Sequence, residues 1–363
     1  MYFTYNVKSG KSNRIPPAAP YANVLYSRGT EIVPSDTSLY LFFQHRENNC
    51  ETFETILGAG GTPSVKCILV YELKPDAAVM PSKPIQIIWP QAFQDTIAYD
   101  ENRGLPFAKS QDGTRIAFYR YNYDEPDQPR RARIVMYTLK AGQWVIEKTI
   151  TSEIFPQNWR GLNCKIDSDA NFVCSAENEN YEYKNYRIAS DDGIVRINTT
   201  TGAVRTVPLK PADETVATGI MIQDFDLSPK GHLVNSGGWL FTEDAPWNVV
   251  SLDGQVLYDY QTDPVRQPLP SYNYFPRQAM FVPGYGGPKF SPGGTWLYAP
   301  RSPKILDLFL TQTPYRRHSH LRASDLGLSE IKSVHVDPVT GHLLVCSPRK
   351  CVVTEGVQDK ATD

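Results

Sequence analysis

One short phrase recurs five times along the chain: a strand, a tight turn built on Ser-Pro or Asp-Gly, and a second strand of β-branched, aromatic or Leu residues. The copies run Phe107–Phe118 (FAKSQDGTRIAF), Cys164–Cys174 (CKIDSDANFVC), Phe225–Val234 (FDLSPKGHLV), Pro288–Tyr298 (PKFSPGGTWLY) and Val334–Val345 (VHVDPVTGHLLV). A degraded sixth, Ile32–Phe43 (IVPSDTSLYLFF), precedes them. A repeat at this period means stacked supersecondary units rather than one irregular core. Taking Thr37, Gly113, Ala170, Gly231, Gly294 and Gly341 as turn markers gives spacings of 76, 57, 61, 63 and 47, and 59 on wrapping past the end. Each interval holds four short strands and their loops, the content of one propeller blade.

The expected fold is therefore all-β: a single six-bladed β-propeller of four-stranded antiparallel blades over residues 1–363. The blades are expected near 23–90, 105–151, 162–210, 222–262, 286–315 and 332–355. The N-terminal strand 2–7 is expected to join the three-stranded C-terminal blade and close the ring, with residues 8–22 crossing to blade one. Two stacked β-sandwiches with chance turn similarity are the competing architecture. The 29 Pro and 24 Gly suit a fold with this many turns.

The phrase resembles the repeat of TolB-type six-bladed β-propellers, whose form is roughly strand, Phe-Ser-Pro-Asp-Gly, strand. Phe290-Ser291-Pro292-Gly293-Gly294 and Leu227-Ser228-Pro229-Lys230-Gly231 come nearest, and Asp112-Gly113 keeps the Asp-Gly. Asp169-Ala170 departs from it. The resemblance implies a fold and no activity.

In such blades the A–B and C–D turns share one face and the B–C and D–A loops the other. The A–B turn is the short repeated phrase, whereas the opposite connections are long: 45–64, 120–131, 177–191 and 237–248 after strand B, and 90–106, 152–162, 210–221 and 262–287 after strand D. Extended loops on a rigid scaffold are where binding and catalysis gather. They are rich in Tyr, Asn and acidic groups, and Tyr121, Tyr123, Tyr181, Tyr183, Tyr186, Trp239, Trp247, Tyr274 and Tyr285 make the expected binding face. Such rings suit sugars or protein surfaces, although each one also suits packing onto the rim.

Strand A is innermost. One parity reads Phe107, Cys164, Ile166, Phe225, Leu227, Phe290, Val334 and Val336, a packing face. The other reads Ala108, Asn163, Lys165, Asp224, Asp226, Lys289, Ser333 and His335. Asn163, Lys165, Asp226, Lys289 and His335 are expected to line a polar channel, with Lys165, Asp226 and Lys289 pairing across seams because buried charges need partners. Were the protein an enzyme, Asp224, Asp226, Lys289 and His335 would be its catalytic set.

His318 and His320 form a His-x-His, which on a regular strand puts both imidazoles on one face as a metal pair needs. Arg316 and Arg317 argue against a cation there, and no metal or other cofactor is expected. No Gly-x-Ser-x-Gly nucleophile elbow and no phosphate loop occurs. Lys and Arg number 37 against 39 Asp and Glu, a net charge of −2. Nucleic acid is accordingly not an expected partner. No apolar run reaches the roughly 18–20 residues of a membrane span, and Met1–Lys11 has no signal-peptide pattern.

Six Cys fall in three local pairs, Cys50/Cys67, Cys164/Cys174 and Cys346/Cys351. A turn centred on Asp169 sets Cys164 opposite Cys174. Three intrablade pairs suit a secreted, periplasmic or virion-surface protein more than a cytoplasmic one. Directly opposed cross-strand Cys often stay reduced because sheet geometry fits a disulfide poorly, so Cys50–Cys67 is the favoured bridge. The functional expectation is a non-catalytic propeller that holds a protein partner or glycan on its long-loop face. The alternative is a carbohydrate-active lyase or hydrolase working at the channel mouth.

Overall fold

A computed structural model describes residues 2–6, 11–15, 30–35, 37–45, 67–74, 77, 79–81, 83–88, 107–121, 131–153, 159–178, 193–208, 222–237, 247–259, 288–337 and 340–355. Met1–Gln157 and Asn158–Asp363 form two compact units.

The first unit opens with β1 (Tyr2–Asn6) and β2 (Lys11–Ile15), an antiparallel hairpin in register from Tyr2–Ile15 to Asn6–Lys11. Blade one follows as β3 (Thr30–Pro34), β4 (Leu39–His45), β5 (Cys67–Leu73) and β6 (Gln86–Ile88). Blade two is β7 (Phe107–Lys109), β8 (Arg115–Tyr121), β9 (Arg131–Lys140) and β10 (Gln143–Glu153). Between them lies an aromatic core in which Trp144 meets Tyr40 and Phe42 edge-on at 5.5 and 5.4 Å. Gln86, on strand D of blade one, holds Trp144 through both its backbone groups, accepting from N at 2.9 Å and donating to O at 2.6 Å.

The second unit holds blade three, β11 (Trp159–Ile166), β12 (Phe172–Asn178), β13 (Gly193–Ile197) and β14 (Val204–Pro208). Blade four is β15 (Ile222–Leu227), β16 (His232–Gly237), β17 (Trp247–Ser251) and β18 (Val256–Asp259). Blade five is β19 (Lys289–Phe290), β20 (Trp296–Ser302), β21 (Ile305–Leu310) and β22 (Arg316–Arg322). Blade six is β23 (Ser333–Val336), β24 (Leu343–Cys346) and β25 (Cys351–Thr354). Every pairing is antiparallel and each sheet keeps chain order. This succession is that of a six-bladed β-propeller, as the repeat predicts.

Two expectations are corrected. β1 pairs with β2, and the last sheet has three strands among the described residues, so the N-terminal strand does not complete blade six. A partner four residues away closes a far smaller loop than one at the other end of the chain, and loop entropy favours the near one. Strand D of blade five is Arg316–Arg322, beyond the boundary expected at residue 315.

The repeated turn explains its own composition. Ser110, Asp167, Ser228, Ser291 and Asp337 each donate their backbone N–H to a carbonyl four or five residues on. A short polar side chain at that place also satisfies the turn: Ser110 Oγ accepts from Arg115 N at 2.9 Å, Asp167 Oδ1 from Asn171 N at 2.7 Å and Ser291 Oγ from Trp296 N at 3.1 Å. The marker residue is left-handed in each, with φ of 66° at Gly113, 61° at Ala170, 75° at Gly231, 67° at Gly294 and 73° at Gly341. Leu139 N–Thr114 O, Leu252 N–Gly231 O and Thr311 N–Thr295 O then tie strand C or the C–D turn to the A–B turn within blades two, four and five. Both short turns therefore stand at one end of the blade.

These turns also join neighbours. A Cβ on Gly113 would stand 1.8 Å from Pro34 O of blade one, and one on Gly294 would stand 2.3 Å from Ser228 Oγ of blade four. One on Gly341 would meet Pro292 of blade five at 3.8 Å. Ser168 Oγ of blade three donates to Pro229 O of blade four at 3.2 Å.

Candidate functional site

Strand A carries the predicted polar row. The packing parity holds in blades three to six, where Cys164, Ile166, Phe225, Leu227, Phe290 and Val334 are buried. Blade two departs from it: Ala108 is buried while Phe107 is half-buried. On the polar parity, Lys165 Nζ of blade three donates to Asp226 Oδ1 of blade four at 3.1 Å. The other carboxylate oxygen accepts from the backbone N–H of Phe290 in blade five at 2.9 Å. Asp226 thus binds three successive blades. Lys165 also stands 5.3 Å over the Phe225 ring. In blade six the His335 side chain is exposed at its surface, yet desolvation by the surrounding chain and then the Lys289 ammonium hold its pKa below the ordinary histidine range, which keeps the imidazole neutral near pH 7.

The first unit has a matching pair that the sequence reading missed. Lys109 Nζ of blade two donates to Ile32 O of blade one at 2.8 Å. Burial raises the pKa of nearby Glu31, with Lys109 pulling it back. The degraded blade-one repeat hid Glu31 from a parity count.

The B–C and D–A end is described mainly in blades five and six. The turn joining β20 to β21 presents Lys304, and the segment after β22 folds back onto it: Ala323 N donates to Lys304 O at 2.9 Å and Ile331 N to Pro303 O at 2.6 Å. A 3₁₀ turn, Ala323–Leu326, ends on left-handed Gly327. Lys304 Nζ donates to Ser329 O. Between these pieces opens a cleft of about 320 Å³ lined by Lys304, Ile305, Arg322, Ser324, Leu328 and Ser329. Lys350, on the blade-six hairpin loop, brings its Nζ within 3.6 Å of where a Cβ on Gly327 would lie.

The same blade is braced by charge. Asp307, 1% exposed, takes Arg317 Nε on Oδ2 at 2.9 Å and stands 3.0 Å from Arg301 Nη2 through Oδ1, an ion pair without hydrogen-bond alignment. Burial pushes the Asp307 carboxyl above its ordinary range, against the opposing pull of Arg317 and Arg301. The Arg317 guanidinium lies 5.2 Å over Phe309. The triad links strands B, C and D of one blade.

A β-bulge between Leu308 and Phe309 leaves His318 as the extra residue, since Leu308 faces Ser319 and Phe309 faces Arg317. His318 turns to Trp296, edge-on at 5.1 Å, on the side packed with Leu306 and Leu308. His320 stays opposite Asp307 on the other side, and its Nε2 accepts from Arg322 Nε at 3.4 Å. The bulge separates the two imidazoles, so the metal pair expected of a regular strand does not form. Among the described residues no group of three or more His, Cys, Asp or Glu is placed to hold a metal ion.

Cys164 and Cys174 are direct cross-strand partners and are bridged, with Cα atoms 4.1 Å apart. Cys346 and Cys351 are likewise opposed and bridged, at 4.0 Å. Disulfide bonding is as the local cysteine pairs suggest, and it includes the directly opposed pairs that sheet geometry disfavours: both sit at spacings below even the narrow antiparallel pair of about 4.5 Å. Cys67 is also disulfide-bonded, while its expected partner Cys50 lies outside the described residues. So do Tyr123, Tyr181, Tyr183, Tyr186, Trp239, Tyr274 and Tyr285. Tyr121 ends β8, Trp247 starts β17, and Asn163 and Asp224 lie on strands A of blades three and four. The cleft residues were not singled out from sequence. The signal was present, because residues 301–350 hold eight Lys or Arg against four Asp or Glu in a chain of net charge −2.

No protein-family model and no curated protein sequence matches the chain. Among solved structures it is similar to BamB from Moraxella catarrhalis, at 9% identity over 89% of this chain and 80% of that one, with a TM-score of 0.37. It is also similar to the polysaccharide lyase Uly1, at 13% identity over 94% and 79%, with a TM-score of 0.46.

Proposed function

We propose that this β-propeller is a non-catalytic binding module that holds a protein partner or glycan on the face made by its B–C and D–A connections. The observation that carries this reading is the use of Asp226. A channel catalyst needs a carboxylate available to substrate, and this one is taken up by Lys165 and the Phe290 N–H. The opposite end holds short turns, bonded to each other in blades two, four and five and from blade three to blade four through Ser168. Recognition is thereby left to the longer connections. Two disulfides between strands favour an oxidising compartment, secreted or periplasmic. No helix among the described residues is long and apolar enough to cross a membrane.

A glycan array followed by a turnover assay on every glycan bound tests the reading. Retention without product is the expected outcome, and chain cleavage would overturn it. Cleavage would favour the second reading, a polysaccharide lyase or hydrolase, for which the neutral His335 beside Lys289 is the supporting observation.

A further inference from the structure

We infer that the cleft at the head of blade five binds an acidic saccharide, through a carboxylate or sulfate held by Lys304 and Arg322. This rests on the binding reading above and names the ligand class and the place. The argument begins with charge. Lys304 and Arg322 are exposed and both line the cleft, and Lys350 Nζ stands 3.6 Å from where a Cβ on Gly327, next to the lining Leu328, would lie. Asp325 and Glu330 are the carboxylates next to lining residues on this segment, against Lys304, Arg322 and Lys350, and Asp325 accepts from Ser324 Oγ at 3.3 Å. Cations remain in excess. Among the described residues neither Arg322 nor Lys304 is in an ion pair; Arg322 donates to His320 Nε2 and Lys304 to Ser329 O. An arginine with its remaining N–H groups open to solvent is suited to fork onto a carboxylate or sulfate.

Shape supplies the second argument. The walls come from the β20–β21 turn, the end of β22 and the Ala323–Ser329 segment, tied by Ala323 N–Lys304 O, Ile331 N–Pro303 O and Leu328 N–Ala323 O. Arg301, Asp307 and Arg317 brace β20, β21 and β22, the strands that lead into these walls. A site held this way is set before ligand arrives, which lowers the entropy lost on binding. Its volume of about 320 Å³ matches a small-ligand pocket. A stable protein interface needs about 800 Å² per partner, so the cleft itself suits a sugar unit better than an acidic protein surface. Ser324, Ser329 and the buried floor residue Leu328 offer polar and apolar contacts to the hydroxyls and carbon face of a pyranose.

The test uses isothermal titration of the whole protein with four probes: a glucuronate-containing hexasaccharide, its sulfated form, a neutral glucose hexasaccharide and hexaglutamate. One or both acidic saccharides are expected to bind, more weakly as salt rises from about 50 to about 200 mM, and their ranking separates carboxylate from sulfate recognition. Arg322→Gln and Lys304→Gln should each weaken that binding at least tenfold with unchanged thermal unfolding, and Arg205→Gln on blade three should leave it unchanged. Equal binding of neutral and acidic hexasaccharides, indifferent to the two substitutions, would overturn the inference while leaving saccharide binding standing. Equal binding of hexaglutamate would overturn it in favour of an acidic protein partner. No binding of any probe would overturn it without touching a protein-partner function.

Discussion

Asp226 Oδ1 lies 3.1 Å from Lys165 Nζ while Asp226 Oδ2 accepts from the Phe290 N–H, so one carboxylate joins strands A of three blades. Removing it leaves an ammonium and an amide without their partner. Asp226→Ala should cost about 1.5–3 kcal/mol, the range for hydrogen bonds to charged groups. Asp226→Asn keeps an acceptor for Phe290 N and should cost roughly half as much. Urea midpoints at pH 7 check the order, and equal costs would show that the amide bond contributes nothing.

The marker residues of the turns make a second series. Gly113→Ala combines a left-handed φ of 66° with a Cβ placed 1.8 Å from Pro34 O. Gly202, at φ 72°, has nothing within 4 Å of its added Cβ. Gly202→Ala should lose only the left-handed cost of about 1–2 kcal/mol, and Gly113→Ala clearly more, since backbone must move. Ala170 already bears that strain at φ 61°, so Ala170→Gly should be neutral or stabilising by up to about 1 kcal/mol. Differential scanning calorimetry ranks the three.

His232 and His335 give the pH dependence. Burial and then Lys230 hold His232 below its ordinary value, and its Nδ1 meets Tyr315 Oη at 2.7 Å. Unfolded histidine takes up its proton near pH 6.5, while these two do so only at lower pH when folded. The unfolded chain therefore binds more protons in that window, and stability falls as pH drops below about 6.5 toward the folded values. Above it their contribution is constant. Urea midpoints at pH 7.5, 6.5 and 5.5 should decline on the acid side, and His232→Gln with His335→Gln should flatten the decline.

The two described disulfides differ in access. Cys164 and Cys174 are 2% and 0% exposed, whereas Cys351 is exposed. Thiol reductant under native conditions should open Cys346–Cys351 first, because exchange requires in-line access to a sulfur. Timed alkylation and peptide mass spectrometry read the order, and simultaneous opening would contradict it.

Much of this was legible in the chain because turns are local. The Ser-Pro-Gly phrase located strands A and B of every blade, and symmetry about Asp169 put Cys164 opposite Cys174. Parity on strand A brought Lys165 to Asp226. What failed to show was non-local or irregular. Arg316–Arg322 falls outside the expected blades because of its charge, and as strand D it pairs Arg317 with Asp307, ten residues away. The bulge at His318 reverses the face that alternation assigns, and no residue type announces it. Blade six has three strands of its own, which invites β1 as a fourth, but β2 offers β1 a nearer edge.

The seating of Gly113 on Pro34, Gly294 on Ser228 and Gly341 on Pro292 gives the turn phrase a double reading. Its left-handed residue shapes its own hairpin, and its Ser-Pro, or Pro34 in blade one, is the socket for the following one. The blade-five turn is thus both plug, through Gly294, and receptacle, through Pro292, with polarity along the chain. Blade five is therefore not an interchangeable bead: excising or transplanting it leaves a mismatched coupling on each side, so drift in its turn is constrained by the turns flanking it.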